Sequence, residues 1–276
     1  MWSPGEFVER YTGIGVKKAA SPQGRLLMLG ILAGVLIGMG TVMSNTAAHG
    51  LQGNLSVSRV VCGLLFPCGL IMVIFTGAEL FTGNCLITIS VLNGRTRWRD
   101  MARNLVLVYI GNLIGAVVLA ALVVFSGQLD LSGGQLAVYT IQTALSKCSL
   151  PFGRAVVLGV LCNVLVCIAV MCALCGQDAP SKAIGAFLPV CAFVICGFEH
   201  CVANMYYIPA GLLAMGNPDY ARLAAEAGLA LEGLTWPAFL LGNLLPVTLG
   251  NVLGGCGLAA LMWKVHGSKE PAGRAA

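Results

Sequence analysis

Long runs of apolar residues are the strongest constraint on the fold of this chain. The hydrocarbon core of a bilayer is about 30 Å thick and needs roughly 20 helical residues to cross. Only 10% of the 276 residues are charged, whereas about a quarter are charged in a soluble domain. The sequence therefore predicts an all-α integral membrane protein in contact with the lipid bilayer, and argues against a soluble enzyme, a nucleic-acid-binding protein and a disordered chain. Four runs fit one crossing each: Leu26–Met43, Leu105–Phe125, Ala155–Leu174 and Pro237–Val265.

Two further runs are too long for a single crossing. As straight helices at 1.5 Å per residue, Val60–Leu92 would be about 50 Å long and Ala183–Leu213 about 45 Å. Each has a polar, glycine-containing centre, at residues 76–84 and 197–204. Irregular backbone at membrane depth is tolerated only where protein or a cavity satisfies it. We therefore expect six transmembrane helices, with spans two and five broken.

The distribution of basic residues predicts the orientation. With six spans both ends of the chain lie on one side, and that side carries twelve of the sixteen lysines and arginines. Cytoplasmic loops are rich in these residues, so we expect a multi-pass protein of the plasma or inner membrane with cytoplasmic N- and C-termini. The predicted parts are a cytoplasmic N-terminal segment at 1–25 with an amphipathic surface helix, a single transmembrane domain at 26–265 and a cytoplasmic tail at 266–276. The four basic residues on the outer side are Arg59, Lys147, Arg154 and Arg222.

The two polar centres match each other. The spacing Gly-x-Glu-x4-Asn occurs in both, at Gly77–Asn84 and at Gly197–Asn204. The flanking spans match in the same order, and the matched segments are Leu29–Leu32 with Leu158–Leu161 and Val108–Gly115 with Val247–Gly254. The predicted halves, 26–125 and 154–265, have three spans each, so the second enters the membrane from the opposite side. A 3+3 inverted repeat of this kind places the permeation site between the halves, at the broken helices.

Ionisable and amide side chains stand at both predicted breaks. The carboxylates of Glu79 and Glu199, with Asn84 and Asn204, are expected to have a structural role there. We expect each glutamate to accept hydrogen bonds from backbone N–H groups that the break frees, as a carboxylate does at a helix start; a proton relay is the alternative. An ionisable residue inside a span is costly and indicates function, so a pore role is expected for His200.

No metal or cofactor is predicted. The twelve cysteines fall mostly in apolar runs, where a thiol behaves as a small apolar residue. Cys172 and Cys175 form a CxxC pair, but no second pair or nearby histidine completes a metal site. A membrane-embedded enzyme would need a nucleophile–base pair or a metal set, and the sequence shows neither.

The polar centres resemble the signatures of the formate/nitrite transporter family. Gly77–Asn84 is similar to the family's motif in the second span, Gly197–Met205 to the motif in the fifth and Pro246–Asn251 to the motif in the sixth. The likeness extends over roughly residues 20–265. It implies an aquaporin-like fold, a homopentamer and one anion pore in each protomer.

The resemblance also implies roles for single residues. Thr82 is expected in a mobile loop linked to gating, His200 is the central histidine, and Lys147 is expected to attract anions to the outer vestibule. Gly77 and Gly83 are expected to bracket the mobile loop, since glycine permits the backbone angles that a break requires. The residues expected to form apolar constrictions are Phe66, Leu70, Leu80 and Phe193. Those expected to be polar pore-lining positions are Asn163 and Asn251.

A small monovalent weak-acid anion is the predicted substrate. Helix N-termini at each break can direct partial positive charge at an anion, and the sequence has no acidic ring of the kind found in cation filters. Burial disfavours imidazolium, so we expect a neutral His200 that shares a proton with the arriving anion. Formate is favoured because Met205–Gly211 resembles formate-handling members, with nitrite and hydrosulfide as alternatives. A neutral-solute channel is the alternative of another class, but the paired Asn-Pro-Ala motifs of such channels are missing.

Overall fold

Helices make up almost all of residues 1–267, the part of the chain that the computed structural model describes. The all-α fold class is confirmed. The predicted tail at 266–276 lies outside this range except for its first two residues. Lys269 and Arg274, which contributed to the predicted orientation, therefore also lie outside it. The α-helices are α1 Pro4–Ala20, α2 Gln23–Ala48, α3 Leu55–Leu65, α4 Pro67–Thr76, α5 Phe81–Asn84, α6 Thr88–Leu92, α7 Trp98–Phe125, α8 Gln135–Cys148, α9 Phe152–Cys175, α10 Ala179–Ile195, α11 Cys201–Met215, α12 Pro218–Glu226 and α13 Leu245–His266, the last preceded by a π-helix at Ala238–Leu244.

Five helical segments of the described residues are long and apolar enough to cross a membrane. They are Gln23–Leu51, Leu55–Thr76, Trp98–Phe125, Phe152–Cys175 and Ala238–His266. Four of them overlap the runs predicted as single crossings, and most are longer than predicted. The difference arises because polar residues such as Arg99 and Asp100 continue the hydrogen-bonded turns of α7 beyond its apolar part, whereas hydropathy alone leaves them out.

The two overlong runs are interrupted. The chain leaves the helix at residues 77–80, between α4 and α5, and at residues 196–200, between α10 and α11. Both interruptions are shorter than the predicted polar centres, because the chain returns to helix directly after Leu80 and after His200. Thr82 therefore lies in the first turn of α5 and not in a loop, which corrects the expectation from the sequence.

The N-terminal segment folds as a helix that packs one face against the core and exposes the other. Ser3 and Glu6 form a capping box that starts α1, with Ser3 N–H 2.7 Å from Glu6 Oε2. Phe7 and Tyr11 are 0% exposed and pack against residues of α9 and of the segment after the first break. The expected amphipathic helix is thus present over Pro4–Ala20, with one face packed into the protein core and with Glu9, Arg10 and Lys17 exposed on the other.

Glycines allow two helix pairs to approach at backbone distance, α2 with α7 and α9 with α13. A Cβ added at Gly30 would lie 2.9 Å from the carbonyl oxygen of Val108, and one added at Gly159 would lie 2.8 Å from that of Val247. Gly115 and Gly254 face the carbonyl groups of Ile31 and Val160 in the same way. These glycines therefore serve helix packing, as small residues do between membrane helices.

We expect Gly254→Ala to destabilise the protein by about 1–3 kcal/mol, because the added methyl group would meet the Val160 backbone. Gly257, one turn further along α13, is exposed, and a Cβ added there would have nothing within 4 Å. Gly257→Ala is therefore the matched control and should be neutral or slightly stabilising, since alanine favours helix over glycine by about 1 kcal/mol. Thermal unfolding in detergent measures both; equal melting temperatures would contradict the packing role.

Candidate functional site

The two interruptions are built on the same turn. Gly77 and Gly197 adopt φ of 68° and 71°, a left-handed conformation that favours glycine. The N–H groups of the following residues, Ala78 and Phe198, donate back into the preceding helix at 3.1 and 3.0 Å. Gly83 does not adopt this conformation. It packs against Val170, whose Cγ2 would lie 3.2 Å from a Cβ added at Gly83. Of the two glycines expected to bracket a mobile loop, only Gly77 therefore adopts a backbone conformation that requires glycine.

One buried asparagine amide closes each turn. Asn112 Oδ1 accepts from the N–H of Phe81 at 3.0 Å, and its Nδ2 donates to the carbonyl oxygens of Gly30 and Glu79. Asn251 makes the equivalent contacts in the second half, with Cys201 N–H, Gly159 O and Glu199 O at 2.8 to 2.9 Å. In each half, the helix that follows the interruption begins with a backbone N–H that has no partner within the helix. This N–H donates to an asparagine side chain from a neighbouring helix.

The two glutamates bind side chains and not the freed backbone N–H groups. Glu79 Oε2 accepts from Lys18 Nζ at 2.7 Å and from Asn84 Nδ2 at 2.6 Å. Glu199 accepts from Lys147 Nζ at 2.8 Å and from Asn204 Nδ2 at 2.6 Å. This corrects the predicted partners; the carboxylates are buried and can remain charged there because each has an ammonium partner.

A second asparagine completes each cluster. Asn104 Oδ1 accepts from Asn84 at 2.8 Å, and Asn104 Nδ2 donates to the Lys18 carbonyl at 2.9 Å. Asn243 makes the same two contacts in the second half, at 2.7 and 2.9 Å. These two groups are called the Lys18 network, consisting of Lys18, Glu79, Asn84 and Asn104, and the Lys147 network, consisting of Lys147, Glu199, Asn204 and Asn243.

Thr82 and His200 join the two interruptions. Thr82 Oγ1 lies 2.9 Å from His200 Nε2, and both side chains are buried. His200 Nδ1 accepts from the N–H of Ala203 at 3.1 Å and caps α11. Since Nδ1 is an acceptor, the neutral ring carries its hydrogen on Nε2 and donates it to Thr82. The Thr82 hydroxyl hydrogen has no acceptor among the described residues, so it is available to a ligand.

Two cavities end near this hydrogen bond. The Lys147 cavity, of about 220 Å³, is lined by Phe66, Phe193 and His200 as well as by Lys147. The Lys18 cavity, of about 170 Å³, is lined by Lys18, Leu70, Leu80 and Gly83. Leu80 and Gly83 flank Thr82, so the Thr82–His200 contact lies between the cavities. All four residues predicted as apolar constrictions therefore line one cavity or the other.

Aromatic rings cover the histidine on the Lys147 side. The Phe66 and Phe193 rings meet edge to face with centroids 5.7 Å apart, and Phe193 stacks on His200 at 6.0 Å. Apolar rings therefore lie beside the histidine in the wall of the Lys147 cavity.

The two predicted polar lining residues lie behind the cavity walls. Asn163 and Asn251 are 0% exposed and line neither cavity. Asn163 Nδ2 donates to the carbonyl oxygen of Asn251 at 2.6 Å and to that of Thr82 at 3.3 Å. Cys167 Sγ also contacts the Thr82 carbonyl, at 3.5 Å. Asn163 thus positions the Thr82 turn, and Asn251 closes the second interruption.

Sequence reasoning missed Lys18, Asn104, Asn112 and Asn243. A signal for each was present. Extending the Leu29/Leu158 match toward the N-terminus, with its constant offset of 129, pairs Lys18 with Lys147. The Val108/Val247 match, with its offset of 139, pairs Asn104 with Asn243 and Asn112 with Asn251.

The described residues contain no group of three or more His, Cys, Asp or Glu side chains that could hold a metal ion. All twelve cysteines are free thiols.

Comparison with known proteins gives one consistent family. The sequence profile of the formate/nitrite transporter family matches residues 5–265. Formate channel FocA of Escherichia coli K12 is 37% identical over 255 residues, which cover 91% of this chain and 89% of that protein. The probable formate transporter of Methanothermobacter thermautotrophicus is 34% identical over 282 residues, covering 96% and 97%.

Solved structures agree with these relatives. A pentameric formate channel with formate bound superposes with a TM-score of 0.79 at 34% identity, over 90% of this chain and 97% of that one. An FNT family ion channel has the same TM-score at 28% identity, over 94% and 98%.

Proposed function

The chain belongs to the formate/nitrite transporter family, and we propose that it is a membrane channel for a small monovalent anion, with formate as the favoured substrate. The protein is a transporter of this family and not an enzyme. The Thr82–His200 hydrogen bond carries the proposal. It places the free Thr82 O–H donor and the His200 ring in an otherwise apolar gap between two cavities, each of which has one lysine.

We further propose six membrane crossings arranged as a 3+3 inverted repeat, in an aquaporin-like arrangement. The matched turns, asparagine closures and Lys–Glu–Asn–Asn networks support this arrangement, because most of their contacts recur in the two halves. One contact differs: Lys18 Nζ also donates to Asn84 Oδ1 at 3.0 Å, whereas Asn204 Oδ1 has no partner among the described residues. In the proposed orientation both termini are cytoplasmic, the Lys147 cavity is the outer vestibule and the Lys18 cavity the inner one. The basic residues of the predicted cytoplasmic side support this orientation.

The protein is proposed to assemble as a homopentamer with one pore per protomer. The solved relative described as a pentameric formate channel supports this state. Large apolar side chains on the outside of the protomer, such as Leu122, Leu188 and Leu241, are 62 to 66% exposed. Lipid and neighbouring copies would cover them in the membrane.

The apolar gap favours passage of a neutral or hydrogen-bonded substrate. Moving a bare carboxylate into an apolar region costs several kcal/mol at least. Protonating an acid with a pKa of about 4 at pH 7 costs about 4 kcal/mol, at 1.36 kcal/mol per unit. We propose that the anion accepts a hydrogen bond from the Thr82 hydroxyl as it enters the gap. A proton taken up from the cavity together with the anion is shared between His200 and the anion, so that the substrate crosses without net charge and the ring returns to its neutral form.

Nitrite and hydrosulfide remain the alternatives within the family. A pore that acts on charge and size alone does not distinguish nitrite from formate, since both are small, bent anions. The neutral-solute channel is the alternative of another class.

We expect proteoliposomes containing the protein to take up formate faster than acetate or lactate, because the larger acids fit the gap between Phe66, Phe193 and Leu80 less well. Labelled uptake of formate, nitrite, hydrosulfide, acetate and lactate at two pH values measures the preference. Protein-free liposomes correct for diffusion of the neutral acids. Swelling in glycerol without formate uptake would contradict the proposed function and favour a neutral-solute channel.

A further inference from the structure

The Lys147 cavity contains one charge that the described residues do not balance. Its charged lining residues are Arg59, Lys147 and Glu199. Lys147 and Glu199 neutralise each other at 2.8 Å. No carboxylate of residues 1–267 lies within ion-pair distance of Arg59. The Lys18 cavity is different, because its lysine is paired with Glu79 and its lining contains no further cation.

Arg59 is held over the second interruption. Its Nη1 donates to the carbonyl oxygen of Ile195 at 3.2 Å, near the C-terminus of α10. A Cβ added at Gly197 would lie 2.5 Å from the same atom. One donor of the guanidinium is therefore used to fix its position. The group has five N–H donors in all, so others remain for a ligand in the cavity.

A buried amide without a partner lines the same cavity. Asn45 of α2 is 4% exposed, and its Nδ2 has no hydrogen-bond partner among the described residues. A buried donor without an acceptor is unfavourable and calls for an explanation in a folded protein. A ligand in the cavity that offers an oxygen would supply the missing acceptor.

We propose that Arg59 and Asn45 form a binding site for a small planar oxyanion in the Lys147 cavity. The guanidinium fork matches the two oxygens of a carboxylate or of nitrite, and the Asn45 amide adds a neutral donor. The anion is held there before it passes Phe66 and Phe193. This inference rests on the proposed function for its substrate class, and it gives Arg59 the attracting role that the sequence assigned to Lys147. Because the Lys18 cavity has no counterpart, the site acts on anions entering from one side only.

The test compares formate uptake by proteoliposomes containing the wild type, Arg59→Gln, Asn45→Ala and Arg154→Gln. Arg154 is an exposed arginine of the same predicted side that does not line either cavity, so it is the matched control. At low ionic strength, Arg59→Gln is expected to raise the half-saturation concentration about tenfold, because one charged hydrogen bond to the anion is lost. The saturated rate should change less than about twofold. High salt should reduce this difference by screening.

Asn45→Ala separates binding from stability. Because Asn45 Nδ2 has no hydrogen-bond partner within residues 1–267, its removal should leave the melting temperature unchanged or raised, while the half-saturation concentration rises roughly threefold. A half-saturation concentration of Arg59→Gln equal to that of the wild type, or matched by Arg154→Gln, would overturn the proposal. A lower melting temperature as its only effect would also overturn it, because Arg59 would then serve only as a cap of α10.

Equilibrium binding tests the site independently of transport. Binding of ¹³C-formate and of ¹⁵N-nitrite to the detergent-solubilised protein is compared by NMR between the wild type and Arg59→Gln. If the wild type does not transport formate, the proposed function fails, and weaker anion binding by Arg59→Gln still supports the site. Equal binding by the two proteins overturns it.

Discussion

Replacing Lys147 with glutamine is expected to lower the free energy of unfolding by about 3–5 kcal/mol, the usual cost of removing one partner from a buried ion pair. Lys147 Nζ lies 2.8 Å from Glu199, whose side chain is 7% exposed. Without the lysine, the carboxylate keeps the Asn204 amide as its hydrogen-bond donor within the described residues. Thermal unfolding in detergent and the yield of assembled protein measure the loss.

The double variant Lys147→Gln/Glu199→Gln is the control for this prediction. Two neutral amides leave no buried charge without a partner, and replacing a complete buried pair is often close to neutral. The double variant should therefore recover most of the lost stability. A single variant as stable as the wild type, with only a raised half-saturation concentration, would show instead that Lys147 is a free vestibule charge.

The Lys18 network gives the same test in the other half. Lys18 Nζ lies 2.7 Å from Glu79, whose side chain is 10% exposed. Lys18→Gln should cost stability, and Lys18→Gln/Glu79→Gln should restore it. The variant would also weaken the attachment of α1 to the core, because it removes the hydrogen bonds of Lys18 Nζ to Glu79 and Asn84. The Lys18 carbonyl still accepts from Asn104.

The overall fold follows from the sequence because membrane thickness limits helix length. The excess length of Val60–Leu92 and Ala183–Leu213 predicted two interruptions, and both are present at about the expected positions. Their extent was less predictable. A left-handed glycine ends a helix within a few residues, and the next helix begins directly afterwards, so Thr82 is already helical. Burial of α1 was also missed, since its five charged residues suggested a solvated surface helix.

The residues of the site were easier to predict than their contacts. The central histidine and Leu80 follow from the motifs. Asn163 and Asn251 do not line the cavities as predicted, and the partners of Glu79 and Glu199 depend on α1 and α8, which lie outside those motifs. Arg59 reaches Ile195 across 136 residues of sequence, and no local pattern indicates such a contact. The internal repeat could have been used to predict Lys18 as a site residue, because Lys18 is the repeat counterpart of Lys147.

The hydrogen bonds of His200 connect its protonation to the geometry of the second interruption. In the neutral ring, Nε2–H donates to Thr82 and Nδ1 accepts from the Ala203 N–H. A second proton would have to go on Nδ1, which would then face a backbone N–H at 3.1 Å. Imidazolium therefore cannot form at this position unless the ring moves away from α11 and gives up its cap.

We expect His200→Asn to keep the fold. Part of the pH dependence of formate flux comes from the changing fraction of formic acid, and the variant should retain only that part. Asparagine is among the best N-cap residues, so it can keep the acceptor for Ala203 N–H, and its amide can still donate toward Thr82. It cannot take up a proton, whereas histidine can do so when an anion lies beside the ring. Flux across a pH series, with chloride as an anion that has no neutral acid form in this range, separates the protein's titration from that of the substrate.

His200→Phe is the complementary variant, because it removes the titrating group, the cap and the donor together. Loss of the cap should cost about 0.5–2 kcal/mol of stability, and loss of the donor should slow flux at every pH, since Thr82 would be the one remaining donor of the pair in the gap. If His200→Asn instead kept the wild-type pH profile for both formate and chloride, a proton shared with His200 would play no part in transport. The pH dependence would then belong to other titrating groups, and the hydrogen bond to Thr82 would serve only to hold the two interruptions together.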